Sequence, residues 1–325
     1  MNKIKKVFIV LSFFFLCLFL IADKNGGFHK KKVLSIPVMA HNSVKEIRKE
    51  MEEISFQQEI LFNDSPVVFE KSTNTIYIPQ NMYHNQWDGR IRVERGKIVI
   101  GEDEFLKDKK NAIKEGHVFK LYWFDEEKFR EYNLVFTGMP MISLTKTKTQ
   151  NEEEEIWDGV IEVYDAYRTG TGYQKFDCVF NVRGASTRHF EKKGYKVELN
   201  NKKASILGMR KDDDWILNAL VDDQGLIHNK LSMDVWENIT SYNSVKGDSG
   251  YACEYAEVFV DGQYKGVYLI GERVDAKGLE LKNTDILYKC RTMRVPEEHN
   301  YTNEITDGLR PIFLLKEPKE DIAAN

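Results

Sequence analysis

The sequence predicts an α+β chain: a small β-rich domain followed by an antiparallel sheet that carries one helix. Three observations lead to this. Between residues 62 and 136, short runs of β-branched and aromatic residues alternate with turn signals such as Ser65-Pro66, Asp88-Gly89 and Arg95-Gly96. Between residues 176 and 199, apolar and polar residues alternate with the period of a strand. Ile227, Leu231, Val235 and Ile239 then share one helical stripe, with Trp236 at its margin.

Taken in order, the chain opens with Lys3, Lys5 and Lys6 ahead of an apolar run over residues 7–22. That run is longer than the roughly 7–15 residues of a signal-peptide core and shorter than the roughly 20 of a spanning helix. Residues 1–22 therefore read as either a cleaved signal or an uncleaved membrane anchor. In both cases the basic flank stays inside and the remainder is extracytoplasmic, secreted or tethered through residues 7–22. Residues 23–60 read as a polar spacer and a short helix, capped at Asn42-Ser43, with Val44, Ile47, Met51 and Ile54 on one face.

Residues 61–140 form the β-rich module. Its Trp87, Trp123, Tyr77 and Tyr122 suit either a carbohydrate-stacking face or ordinary core and cross-strand packing. Residues 141–156 hold Thr145-Lys-Thr-Lys-Thr-Gln-Asn151 and then four consecutive glutamates, so they are expected to be a loop or linker. The second domain spans residues 157–325.

In that domain Phe176, Cys178, Phe180 and Val182 face one way, and Asp177, Asn181 and Arg183 the other. The next strand sets Tyr195, Val197 and Leu199 against Lys196 and Glu198. If the two strands pair, Asn181, Arg183, Lys196 and Glu198 share a polar face. The turn between them, with Gly184, Ser186 and Thr187, offers backbone N–H groups and hydroxyls suited to an anion, or is an ordinary hairpin connection. Asp212-Asp-Asp214 reads as a solvated turn, because consecutive carboxylates on an extended chain point to opposite faces. A helix is expected from about Gln224, with Lys230 and Asp234 spaced to pair. Asp261-Gly262 fits a two-residue hairpin turn.

Composition excludes some classes. An apolar fraction of 42% supports a sizeable core. A net charge of −4 and a pI near 6.1 argue against a nucleic-acid partner. Cys178 is expected as a buried thiol, and a Cys253–Cys290 bridge stays open. No CxxC or HExxH spacing occurs, so no His/Cys metal site is expected.

The ordered motifs Arg183-Gly-Ala-Ser-Thr187, Lys192-Lys-Gly-Tyr-Lys-Val-Glu-Leu199, Leu207-Gly-Met209, Trp215-Ile-Leu-Asn218, Ile227-His-Asn-Lys-Leu231 and Gly266-Val-Tyr-Leu-Ile-Gly-Glu272 resemble the spore-coat protein H (CotH) kinase family. The resemblance covers residues 157–325. It implies a protein-kinase-like N-lobe, with the second lobe largely missing, that binds ATP with Mg or Mn. Its members phosphorylate Ser or Thr on exported or coat proteins. The nucleotide contacts it implies are Arg183, Gly184, Ser186, Lys196, Asn229 and Glu272. Glu198 stands where the family commonly has lysine. The segment Ile312-Phe-Leu-Leu-Lys-Glu-Pro318 resembles the entry to the second lobe. The family's catalytic and metal aspartate motifs are not found, so no catalytic or metal residue is assigned and the chain alone is expected to be inactive. The alternative is a non-catalytic cell-surface binding or scaffold module.

Overall fold

The computed structural model describes residues 34–54, 59–84, 86–167, 172–184, 186–242, 252–282, 284–292 and 312–317. The anchor or signal expected at residues 1–22 and the spacer up to residue 32 lie outside the described residues.

The first half builds β1 (Val38–Met39), α1 (His41–Arg48), β2 (Glu52–Glu53), β3 (Ile60–Phe62), β4 (Ser65–Pro66), β5 (Val68–Glu70), β6 (Thr75–Pro79), β7 (Ile91–Val93) and β8 (Lys97–Gly101). A 3-10 turn (Glu104–Lys107), α2 (Lys109–Lys114), β9 (Val118–Asp125) and β10 (Lys128–Thr137) complete it. The main sheet has the order β1-β8-β9-β10-β6-β5, with β2 also on β10, and β4-β3-β7 form a small second sheet. Ile76, Ile78, Ile100, Phe119, Leu121 and Leu134 centre its core. The expected first helix stops at Arg48, short of Met51 and Ile54, and no side chain caps its start.

The aromatic residues weighed as a stacking face are packing residues. Trp123 is buried and its Nε1 donates to the Arg95 carbonyl. Tyr122 is buried on the same strand. Trp87 lies 4.5 Å from Phe136, and Tyr77 lies 4.9 Å from Phe259.

The second half overturns the expected α+β, kinase-like N-lobe. The described residues are mostly β, with 47% of them in strands and 14% helical. Strands β11 (Met141–Asn151), β12 (Ile156–Tyr164), β13 (Tyr173–Arg183), β14 (Gly194–Leu199) and β15 (Asp214–Asn218) precede helix α3 (His228–Tyr242). Strands β16 (Cys253–Val260) and β17 (Gln263–Glu272) follow it. Together they close as β11-β12-β13-β14-β15-β17-β16. Neighbours are antiparallel except β11 and β16, whose parallel pairing, Met141 against Glu257, shuts the barrel. Leu144, Phe180, Val197, Trp215, Val258 and Tyr268 point inward into one apolar core.

Closure depends on a segment the sequence reading assigned elsewhere. Residues 141–151, expected as loop or linker, are a barrel strand, and residues 152–155 turn the chain into β12. Ile142 and Leu144 enter the core, while the polar residues beyond them are held by backbone pairing to β12.

The helix also departs from expectation. It begins at His228 rather than Gln224, because the Asp223 carboxylate accepts the His228 and Gly225 N–H groups. Its apolar stripe faces out: Ile227, Leu231, Val235 and Ile239 are each close to half exposed. The side toward the barrel carries Met233, which packs with Leu226 on Leu220, Cys253 and Leu269. The expected Lys230–Asp234 pair is present at 2.5 Å. Cys253 is a free, buried thiol, so the Cys253–Cys290 bridge is absent. Burial pushes the Cys178 thiol up to about 12. The segment resembling a second-lobe entry forms β19 (Ile312–Glu317), antiparallel to β18 (Leu287–Thr292).

Candidate functional site

Strands β13 and β14 pair with Asn181 opposite Lys196 and Arg183 opposite Gly194. Since alternate residues share a face, Asn181, Arg183, Lys196 and Glu198 lie on the outer wall of the barrel. The turn between the strands needs Gly184, whose φ is +119° and whose hypothetical Cβ would stand 2.1 Å from Thr187 Oγ1. Ser186 opens a single 3-10 turn (Ser186–His189).

The rest of the turn is tied across the barrel mouth. Lys192 Nζ donates to the Val267 carbonyl at 2.6 Å and sits 4.5 Å over the Tyr268 ring. Tyr268 Oη donates to the Lys193 carbonyl at 2.9 Å. Lys193 Nζ donates to the Arg188 carbonyl, and Arg188 pairs with Glu155 at 3.1 Å. From residue 183 to residue 196 the chain carries Arg183, Arg188, Lys192, Lys193 and Lys196 against the single carboxylate Glu191. Burial holds the Lys192 ammonium below its ordinary range.

Lys196 stands between two carboxylates, 2.8 Å from Glu198 and 3.2 Å from Asp214. Burial works against its charge, but the contacts with Glu198 and Asp214 outweigh it and raise the pKa. Asp214 also meets Arg273 at 3.2 Å and Lys277 at 3.8 Å.

Asp214 belongs to a charge network at the far end of the barrel. Asp212, fully buried, lies 2.6 Å from Arg210 and 3.3 Å from Lys277. Asp213 lies 2.6 Å from Lys277 and is held well below the carboxylate range, first by its hydrogen bond with Asp212 and then by Lys277. Glu272 accepts the Arg210 N–H at 2.7 Å and pairs with its Nε at 3.3 Å. The solvated turn expected at residues 212–214 is therefore ion-paired, with Asp212 and Asp214 buried and Asp213 partly exposed. Its partners are Arg210, two residues before it, and Arg273 and Lys277, some sixty residues on.

Of the expected contacts, Arg183, Gly184 and Ser186 lie at one end of the barrel, with Lys196 two residues along the same outer face. Glu272 sits at the opposite end and on the inner side, across from Trp215. Asn229 lies in the first turn of α3, outside the barrel. Asp214 went unrecognised as a partner of Lys196. The signal for it was its place just before the inward Trp215, on a strand edge-on to β14.

No curated protein matches the chain. The family model described as CotH kinase protein matches residues 180–311, a span that begins in β13 and includes the basic turn, the charge network, α3 and the β16–β17 hairpin. Residues 180–311 of this chain belong to the CotH kinase protein family.

Proposed function

We propose that the chain binds the phosphates of ATP on the outer barrel face, between the turn at residues 183–193 and Lys196. In this reading the family resemblance makes it part of an ATP-dependent phosphorylation of Ser or Thr on an exported protein, and the chain by itself binds the nucleotide without transferring its phosphoryl group. The observation that carries the reading is the basic turn inside the family-matched span: residues 183–196 contribute five basic side chains and one carboxylate of their own, around a glycine whose close approach to Thr187 leaves no room for a side chain. Phosphoryl transfer draws its rate mainly from positioning and charge neutralisation, and both are what such a turn supplies.

In this reading the backbone N–H groups of the turn opened by Ser186 take phosphate oxygens and Lys196 neutralises them. A divalent ion bound with the nucleotide would supply further charge. Among the described residues no three His, Cys, Asp or Glu side chains are grouped as metal ligands, and the carboxylates beside Lys196 are engaged by cations. No metal is therefore given a place on this face.

The test is an ATP titration of labelled protein followed by NMR. An open face buries one side of the ligand, so the expected affinity is on the order of 1 mM, or about −4 kcal/mol. Lys196→Ala weakens binding, and Lys203→Ala, on an exposed loop, leaves it unchanged. Shifted amides that cluster away from residues 183–196 overturn the assignment and favour a non-catalytic surface module.

A further inference from the structure

The two carboxylates on Lys196 differ in standing. Asp214 is short, nine-tenths buried and on the neighbouring strand, with its other oxygen held by Arg273. Glu198 is long, has a side chain 58% exposed and sits two residues along the same strand as Lys196. Its ion pair among the described residues is with Lys196 alone. Asp214 is also neutralised by Arg273 and Lys277, so the carboxylate that competes directly with an approaching phosphate for Lys196 is Glu198.

We propose that Glu198 is an internal counter-ion: it occupies the position on Lys196 that a ligand phosphate takes, and the phosphate must displace it while Asp214 holds the lysine in place. This rests on the nucleotide reading above and adds a selection rule to it. Glu198 can leave because it ends in solvent and its chain is flexible. Asp214 cannot leave without stranding Arg273 and exposing a carboxylate packed against the barrel wall. Exchange of one carboxylate for one anion favours ligands of high charge density, such as a triphosphate or pyrophosphate. Monoanions and carboxylates gain little over the glutamate already present. Glu198 is thus a side chain that opposes ligand charge instead of adding to its attraction.

The experiment compares the full chain with Glu198→Gln, titrating ATP and pyrophosphate at low salt and following the amides of residues 183–196. Glu198 is exposed, so the variant keeps the fold, which a thermal melt confirms. Removal of an exposed competing pair is expected to tighten both ligands about threefold, and the gain shrinks as salt screens the pair. Asp214→Asn, checked for folding in the same way, is expected to weaken them. Equal or weaker binding by Glu198→Gln, with the wild type still shifting these amides, overturns the counter-ion role and leaves the nucleotide reading standing. Absence of shifts at residues 183–196 in both proteins overturns the nucleotide reading, and the counter-ion role with it.

Discussion

Phe180 offers a direct test of whether the barrel wall or the helix covers the core. Its ring is fully buried, with Trp157 at 5.4 Å and Tyr195 at 6.1 Å between centroids. On the third side the ring lies on Gly159, where a Cβ would stand 2.5 Å from its edge. Phe180→Ala removes the transfer energy of the ring and both aromatic contacts, and the glycine has no side chain to relax into the void. Typical Phe→Ala losses are about 3–5 kcal/mol, and a void that cannot collapse puts this one in the upper half, about 4–5 kcal/mol. Leu231→Ala is the matched control: the sequence stripe makes Leu231 a core residue, whereas the structure leaves it 57% exposed. A loss within about 0.5 kcal/mol is expected there. Urea melts with comparable m-values provide the measurement. A loss under about 1 kcal/mol for Phe180→Ala, or over about 2 kcal/mol for Leu231→Ala, would falsify the barrel-core account.

Two further outcomes follow from buried charge. Burial pushes the Glu257 carboxyl up to about 7 from 4.5, although a hydrogen bond from Tyr264 partly offsets this. Its folded-state pKa is raised, so its contribution to stability is full below about pH 4.5 and is lost as pH rises through 7. Glu257→Gln should therefore be more stable than wild type at pH 8, by about 1–2 kcal/mol once partial exposure is discounted, and should flatten the pH profile between those values; a profile as steep as wild type refutes it. Asp212→Asn leaves Arg210 and Lys277 short of a buried partner and should cost about 3 kcal/mol, whereas a loss under about 1 kcal/mol in the same melts means the network is solvated as the sequence suggested.

What was legible in the sequence was local. The alternation of Phe176, Cys178, Phe180 and Val182 against Asn181 and Arg183 survives as the two faces of β13. Asp261 and Gly262 both have positive φ, 52° and 72°, as a two-residue hairpin turn requires. What escaped depends on distant partners. Thr145, Lys146 and Lys148 look like linker because side-chain character says nothing of a strand held by backbone pairing. The stripe of α3 looks like core because periodicity reports amphipathicity, not which face the neighbours cover. Asp212, Asp213 and Asp214 look solvated because Lys277 and Arg273 come from beyond β17. Among the expected ligand contacts, those joined by one hairpin stayed together, and Glu272, two strands further round the barrel, did not.

The parallel contact of β11 with β16 also bears on how the chain reaches this state. Hairpins β11–β12, β12–β13 and β16–β17 join strands adjacent in sequence, and such loops close quickly. The seam between Met141 and Glu257 joins strands separated by most of the barrel and by α3, so its closure entropy must be met after the other pairs exist. Until it forms, β11 and β16 each present an open edge with a half-apolar face, a template for another chain. Folding yield should therefore fall with protein concentration more steeply than equilibrium stability would indicate, because the seam closes last and competes with pairing between molecules.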